Sequence, residues 1–197
     1  MVDRVTDTGP GGVPPITEEM RRAARSQPGT WLYVVDPSFD PDGAVPPEGI
    51  VGAYPVDEAG RLGEEFAKNP RYRPTPQALR LPQPTDELDA LAQRVATGWA
   101  PQSDFVGELA RSTLWLMAGP ALAVFVVDEG GGRRSVWVFT HRSHAERRVP
   151  GQELLQLSPA EIAEAIPRGV DLVVNPGAPA SVRIPFSAFE SLARPGL

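Results

Sequence analysis

Proline restricts this chain more than any other residue. Twenty-three of the 197 residues are proline and nineteen are glycine, scattered without a collagen period, and they read as long turns and linkers around compact elements. The restriction is tightest at residues 69–84. There Pro70, Pro74, Pro76, Pro82 and Pro84 each disfavour a helical conformation at the residue before them, so this stretch is expected to be extended. A hydrophobic content of 41% still supplies a buried core, enough for one medium domain or two small ones.

Short elements fill the spaces between these breaks. Residues 1–16 are polar and rich in glycine and proline, which predicts a disordered tail. Thr17 is a candidate N-cap for a short basic helix through Arg25, stopped by Gln27, Pro28 and Gly29. The β-branched and aromatic run from Trp31 to Val35, ended by Asp36 and Pro37, predicts a buried strand. After a loop at 38–49, residues 50–56 and the turn residues Glu58, Ala59 and Gly60 predict a hairpin that returns through 62–66. Together these form a strand-rich module at 17–84.

A linker helix at 85–102 follows. It carries Leu88, Leu91, Ala92, Val95 and Ala96 on one stripe, with Gly98 as its stop. The second module, 103–197, opens with a short helix at 105–111 and strands at 114–117 and 122–127. The glycines 130–132 make the turn into a strand at 136–139. Continuous apolar character in these runs predicts a sheet covered on both faces. Ser158, Pro159 and Glu161 supply an N-cap, a proline at the first helical position and the reciprocal glutamate of a capping box. A helix through Ile166, strands at 170–174 and 182–184, and a last helix near 187–192 complete the expectation. The fold class is α/β (mixed α+β): small mixed sheets covered by helices, in two modules that can pack together.

Charge and composition narrow the function classes. A formal net charge of -6 argues against a nucleic-acid binder, which needs clustered cations to neutralise phosphates. The chain has no cysteine, which removes disulfides and thiol chemistry and fits a reducing compartment. No apolar run near the start suits a signal peptide, and the uncharged stretch 112–127 is short for a membrane span and broken by Gly119 and Pro120. Cytoplasmic localisation without membrane insertion is the expectation.

Few residues invite catalysis or metal binding. His141 and His144 are the only histidines, with no third ligand marked beside them, and read as polar residues at a strand end. Asp36, Asp40, Asp42 and Glu48 resemble a calcium loop, but aligning Gly43 with its invariant glycine puts Ser38 first and Gly49 in the place of the bidentate glutamate. No serine lies in a Gly-x-Ser-x-Gly elbow, and the glycine triplet lacks the Lys and Ser or Thr of a phosphate loop. No cofactor is expected, and the chain reads as a non-enzyme. The candidate interaction surface comprises Arg133, Arg134, Arg142, Arg147 and Arg148, the one basic concentration in an acidic chain, and Trp99, which lies just past a helix stop.

The order Val136 to Thr140, a segment at 153–157, a capped helix, and Val173, Val174, Asn175, Pro176, Gly177 resembles the SseB N-terminal domain family over roughly residues 105–192. The upstream half, with 31–37, the Val45 to Gly49 loop, 69–76 and Pro84, Thr85, Asp86, is similar to actinobacterial proteins called type VII secretion system-associated. The resemblance implies an α/β fold and an accessory or adaptor role beside a type VII, or ESX-like, secretion apparatus, with protein partners, and carries no catalytic residue. A regulatory domain that binds a small ligand or anion through the arginines is the alternative. It predicts a concave pocket near 142–148.

Overall fold

The structure is a computed structural model that describes residues 12–193. The chain divides into two compact units at the junction of Leu81 and Pro82. Mixed α and β elements build both, as the sequence predicts. Residues 1–11 of the expected tail lie outside the described residues. Among the described residues, no helix is long and apolar enough to cross a membrane.

The first unit holds helix α1 (Glu18–Arg25) and strands β1 (Trp31–Val35), β2 (Ile50–Pro55) and β3 (Ala67–Lys68) in an antiparallel sheet of order β1-β2-β3. Thr17 caps α1, its hydroxyl accepting the Met20 amide at 3.1 Å. β1 is not the buried strand expected. Trp31 is 47% and Tyr33 61% exposed, because only one face of this sheet is covered. On that face Leu32 lies opposite Tyr54 and Val34 opposite Gly52. The ring of Phe66 covers Gly52, where an added Cβ would fall 2.4 Å from its Cζ. An aromatic, β-branched run reads the same whichever face is wet, so sequence alone does not separate the two cases.

The proline stretch also departs from expectation. Residues 75–81 wind into a turn, with the Leu79 amide on the Thr75 carbonyl at 3.0 Å and the Leu81 amide on the Pro76 carbonyl at 2.9 Å. Proline restricts the residue before it, whereas its own φ suits the first position of a helical turn. This turn is anchored by Asp36, which is fully buried. One carboxylate oxygen accepts the Ser38 amide at 3.0 Å and the Thr75 hydroxyl at 2.6 Å; the other accepts the Thr75 amide and the Tyr72 hydroxyl, both at 3.0 Å. Burial and the adjacent Asp36 carboxylate push the Tyr72 phenol well above its ordinary range, so it stays a donor. The other acids of the supposed calcium loop serve local contacts: Asp40 accepts the Asp42 amide at 3.0 Å, and Glu48 pairs with Arg71 at 3.4 Å.

The second unit contains α2 (Glu87–Ala96), α3 (Gln102–Leu109), β4 (Leu114–Met117), β5 (Val126–Gly130), β6 (Arg133–Phe139), α4 (Arg142–Arg148), β7 (Leu154–Leu157), α5 (Pro159–Ala165), β8 (Asp171–Val174), β9 (Val182–Ile184) and α6 (Phe186–Ala193). The sheet runs β7-β4-β6-β8-β9, with β5 also on β6. β5 pairs with the first half of β6 and β4 with its last two residues, so the two share one edge. The strand expected at 122–127 begins only at Val126, because Pro120 starts a 3-10 turn through Leu122. β6 and β8 are parallel; every other pairing is antiparallel. The central strands bury Leu116, Val136, Val138, Leu172 and Val174 against Leu88 of α2, Phe105 of α3, Ile162 of α5 and Phe189 of α6. Each such side chain contributes about 1.5–3 kcal/mol by leaving water. The predicted capping box is present at α5: the Ser158 amide donates to Glu161 at 2.7 Å, and the Glu161 amide to the Ser158 hydroxyl at 3.3 Å.

Replacing Asp36 with alanine strands the two Thr75 donors in a buried site and frees the Tyr72 hydroxyl. The expected loss is about 3 kcal/mol of first-unit stability, read by chemical denaturation followed through tryptophan emission; a loss below about 1 kcal/mol would show that the turn does not depend on this carboxylate.

Candidate functional site

The parallel pair β6–β8 forces both strands to end on the same side of the sheet. Beyond those ends lies a cleft of about 270 Å³, bordered by Asp89 of α2, His144, Arg147 and Arg148 of α4, and the Asn175–Ala180 turn. The chain leaves β6 for β7 at one edge of the sheet and leaves β8 for β9 at the other. Such a divergence opens a crevice at the carboxyl ends of parallel strands.

The α4 segment was expected only as polar residues at a strand end. It is a helix because His141 caps it: the ring Nδ1 lies 3.2 Å from the Ser143 amide and 2.9 Å from the Ser143 hydroxyl. The helix buries Ala145 and turns His144 inward, its side chain only 12% exposed. Arg147 and Arg148 fall in its last turn, where the helix dipole favours cations.

Asp89 forms the floor, its side chain 4% exposed. One oxygen lies 3.2 Å from His144 Nε2 and accepts the Thr85 amide at 3.0 Å; the other accepts Asn175 Nδ2 at 3.4 Å. Arg147 lies 3.0 Å from His144 Nδ1. Arginine only donates, so Nδ1 is the acceptor and Nε2 carries the proton given to Asp89. Both ring nitrogens are therefore committed within the protein. Burial raises the Asp89 pKa, but the His144 contact and the Thr85 amide outweigh it, and the net shift is below the usual carboxylate range.

Asn175 completes the frame. It takes a left-handed conformation at φ 46, which asparagine tolerates better than most residues. Its side-chain oxygen accepts the Thr140 amide at 3.0 Å and its Nδ2 donates to the Thr140 hydroxyl at 3.1 Å, tying the ends of β6 and β8 together. Gln93, one turn after Asp89 on α2, donates to the Pro82 carbonyl at 3.0 Å.

The structure divides the six surface residues singled out in the sequence. Arg147 and Arg148 border the cleft. Arg142 does not; it pairs with Glu146 at 2.8 Å and lies 5.7 Å from the centre of the Trp115 ring. Arg133 and Arg134 begin β6, about 20 Å from its far end at roughly 3.3 Å per residue. Trp99 is half-buried past the end of α2, its amide on the Arg94 carbonyl at 2.7 Å, and it lies outside the cleft lining. The most exposed tryptophan of the described residues is Trp31. Sequence reading missed Asp89, Gln93 and the part played by Asn175. The signal for the first two was present: polar residues four apart, beside the apolar stripe of α2.

Asp89 titrates below its unfolded value of about 4, so its contribution to stability is present above that pH and is lost as the pH falls through the lower folded value. Asp89→Asn should therefore be less stable than the parent at pH 7, with the gap closing below about pH 4. Urea unfolding at several pH values measures it; a gap independent of pH would place the carboxylate's charge outside the stability of this unit.

Residues 87–190 match the family described as SseB protein N-terminal domain. No curated protein and no solved structure matches the chain.

Proposed function

Because the chain belongs to the SseB protein N-terminal domain family, we propose that it is a non-enzymatic accessory protein of secretion, of the type VII or ESX-like kind, that works in the cytoplasm through contacts with protein partners. The observation that carries this reading is the cleft at the ends of β6 and β8, lined by Arg147 and Arg148 together with Pro176, Gly177 and Ala178. A rim of cations beside small apolar residues suits recognition of a polypeptide. The commitment of both His144 nitrogens to Asp89 and Arg147 supports binding over catalysis, since a general base needs a nitrogen free to meet its substrate. The type VII assignment rests on the likeness of the upstream half to actinobacterial secretion-associated proteins.

One observation favours a second reading. Polar groups converge on a concave site near 142–148, as a regulatory domain for a small ligand or anion requires. Thermal shift with inorganic phosphate and simple carboxylates addresses that reading.

Affinity purification of the full chain from its native host, with mass spectrometry, tests the principal one. Secretion ATPase, chaperone or substrate proteins should be recovered with the parent and lost with the Arg147→Glu, Arg148→Glu double variant. Recovery of none of these with the parent under mild conditions overturns the stable-adaptor reading.

A further inference from the structure

Arg147 and Arg148 differ from three other arginines of their unit in what they touch. Arg111, Arg142 and Arg183 pair with carboxylates at 2.7, 2.8 and 3.2 Å. Arg147 meets His144, and Arg148 meets the face of Trp137 with its guanidinium carbon 4.3 Å from the ring centre. Stacking holds a guanidinium through its plane and leaves the N–H groups at its edge available, the arrangement that suits bidentate capture of a carboxylate. The acid in the cleft lining, Asp89, is buried and occupied by His144, Thr85 and Asn175. The charge offered at the cleft mouth is therefore positive.

The adjoining wall is built of Pro176, Gly177, Ala178 and Pro179, which carry no polar side chain. Gly177 suits that place on two counts. Its φ is +81, which favours glycine, and an added Cβ would lie 3.3 Å from Arg148 Cδ and Nε, so a larger residue would strain the turn and push the arginine back by a few tenths of an ångström. A volume of about 270 Å³ lies at the lower edge of small-molecule pockets, roughly 300 to 1,000 Å³. It suits one or two side chains with a stretch of main chain. A bare anion would use the arginines and leave the apolar wall uncovered.

We propose that this cleft receives an extended acidic segment of the partner protein, with a carboxylate held by Arg148 and Arg147 and the segment's main chain lying along the 176–179 wall. This identification of the partner's chemistry rests on the protein-contact reading above. The charge of two arginines that have no carboxylate partner among the described residues, beside a neutral wall, selects an acidic segment over a basic or purely apolar one.

The test uses the full chain and a heptapeptide of alternating alanine and glutamate, too short to be helical in water. The same peptide with glutamine in place of glutamate and inorganic phosphate serve as comparisons. Binding is followed by NMR at the Trp137 indole and the Gly177 amide. The acidic peptide should shift both signals, and the glutamine peptide should bind at least about tenfold more weakly, the cost of a lost charged pairing. Arg147→Gln and Arg148→Gln should each weaken the acidic peptide by at least about tenfold, while Arg133→Gln, at the far end of β6, leaves affinity unchanged. A variant whose thermal unfolding also shifts is replaced by the matching lysine, which keeps the charge and should bind between parent and glutamine. Equal affinity for both peptides overturns the proposal, as does phosphate binding as tightly as the acidic peptide with the same dependence on the two arginines. Secretion proteins retained by the double variant in the affinity experiment would overturn this cleft as their site and leave the accessory role standing.

Discussion

The second unit is organised around one buried carboxylate. Asp89 comes from α2, His144 from α4 and Asn175 from the turn after β8, and the three elements meet because His144 and Asn175 both bond the Asp89 carboxylate. A buried charge is tolerated only when its hydrogen bonds are made, so this contact specifies where α4 and the turn must lie once the sheet has formed. Without it, α4 would be a seven-residue polar helix with only Ala145 fully buried, too short to persist on its own propensity. The cleft and its cations follow from that placement.

The sheet determines where such a contact can occur. A single parallel pair, β6–β8, sits inside an otherwise antiparallel sheet. Parallel pairing needs a crossover, supplied here by α4, β7 and α5. That crossover brings the ends of both strands to one side and draws their outgoing connections apart. The Asn175–Thr140 hydrogen bonds join the two ends beneath the cleft's Asn175–Ala180 turn. At the other end of the sheet Arg183 bridges Glu129 and Asp171, where cation and acids satisfy one another. The cations that line the cleft, Arg147 and Arg148, have no such acid beside them in its lining except the buried Asp89.

The first unit uses a related device for a structural purpose. Asp36 follows β1 directly and gathers Ser38, Tyr72 and Thr75 around its two oxygens, pinning a proline-rich segment that has no ladder of its own. Both units thus rest on a carboxylate that sequence reading assigned either to a loop or to nothing. Both acids are surrounded by neutral donors, which is why each is stable in a buried setting.

Much of the fold could be read along the chain. Thr17, Gly98 and the Ser158–Glu161 capping box mark helix ends through bonds between near neighbours, and the apolar runs of β4, β6 and β8 declare a covered sheet. These signals are local, so a linear reading contains them. The exposure of Trp31 and Tyr33, the turn at 75–81 and the α4 helix were not legible, since each depends on what lies across the fold. The same holds for the candidate site. The sequence by itself determined that Arg133 to Arg148 is a basic concentration in an acidic chain. Only the tertiary structure decided that Arg147 and Arg148 border a cleft while Arg133 and Arg134 stand at the opposite end of β6. The physical reason is that burial, sheet register and pairing between residues 55 and 86 positions apart, as in His144 with Asp89 and Asn175 with Asp89, are properties of distance in space, which spacing along the chain does not encode.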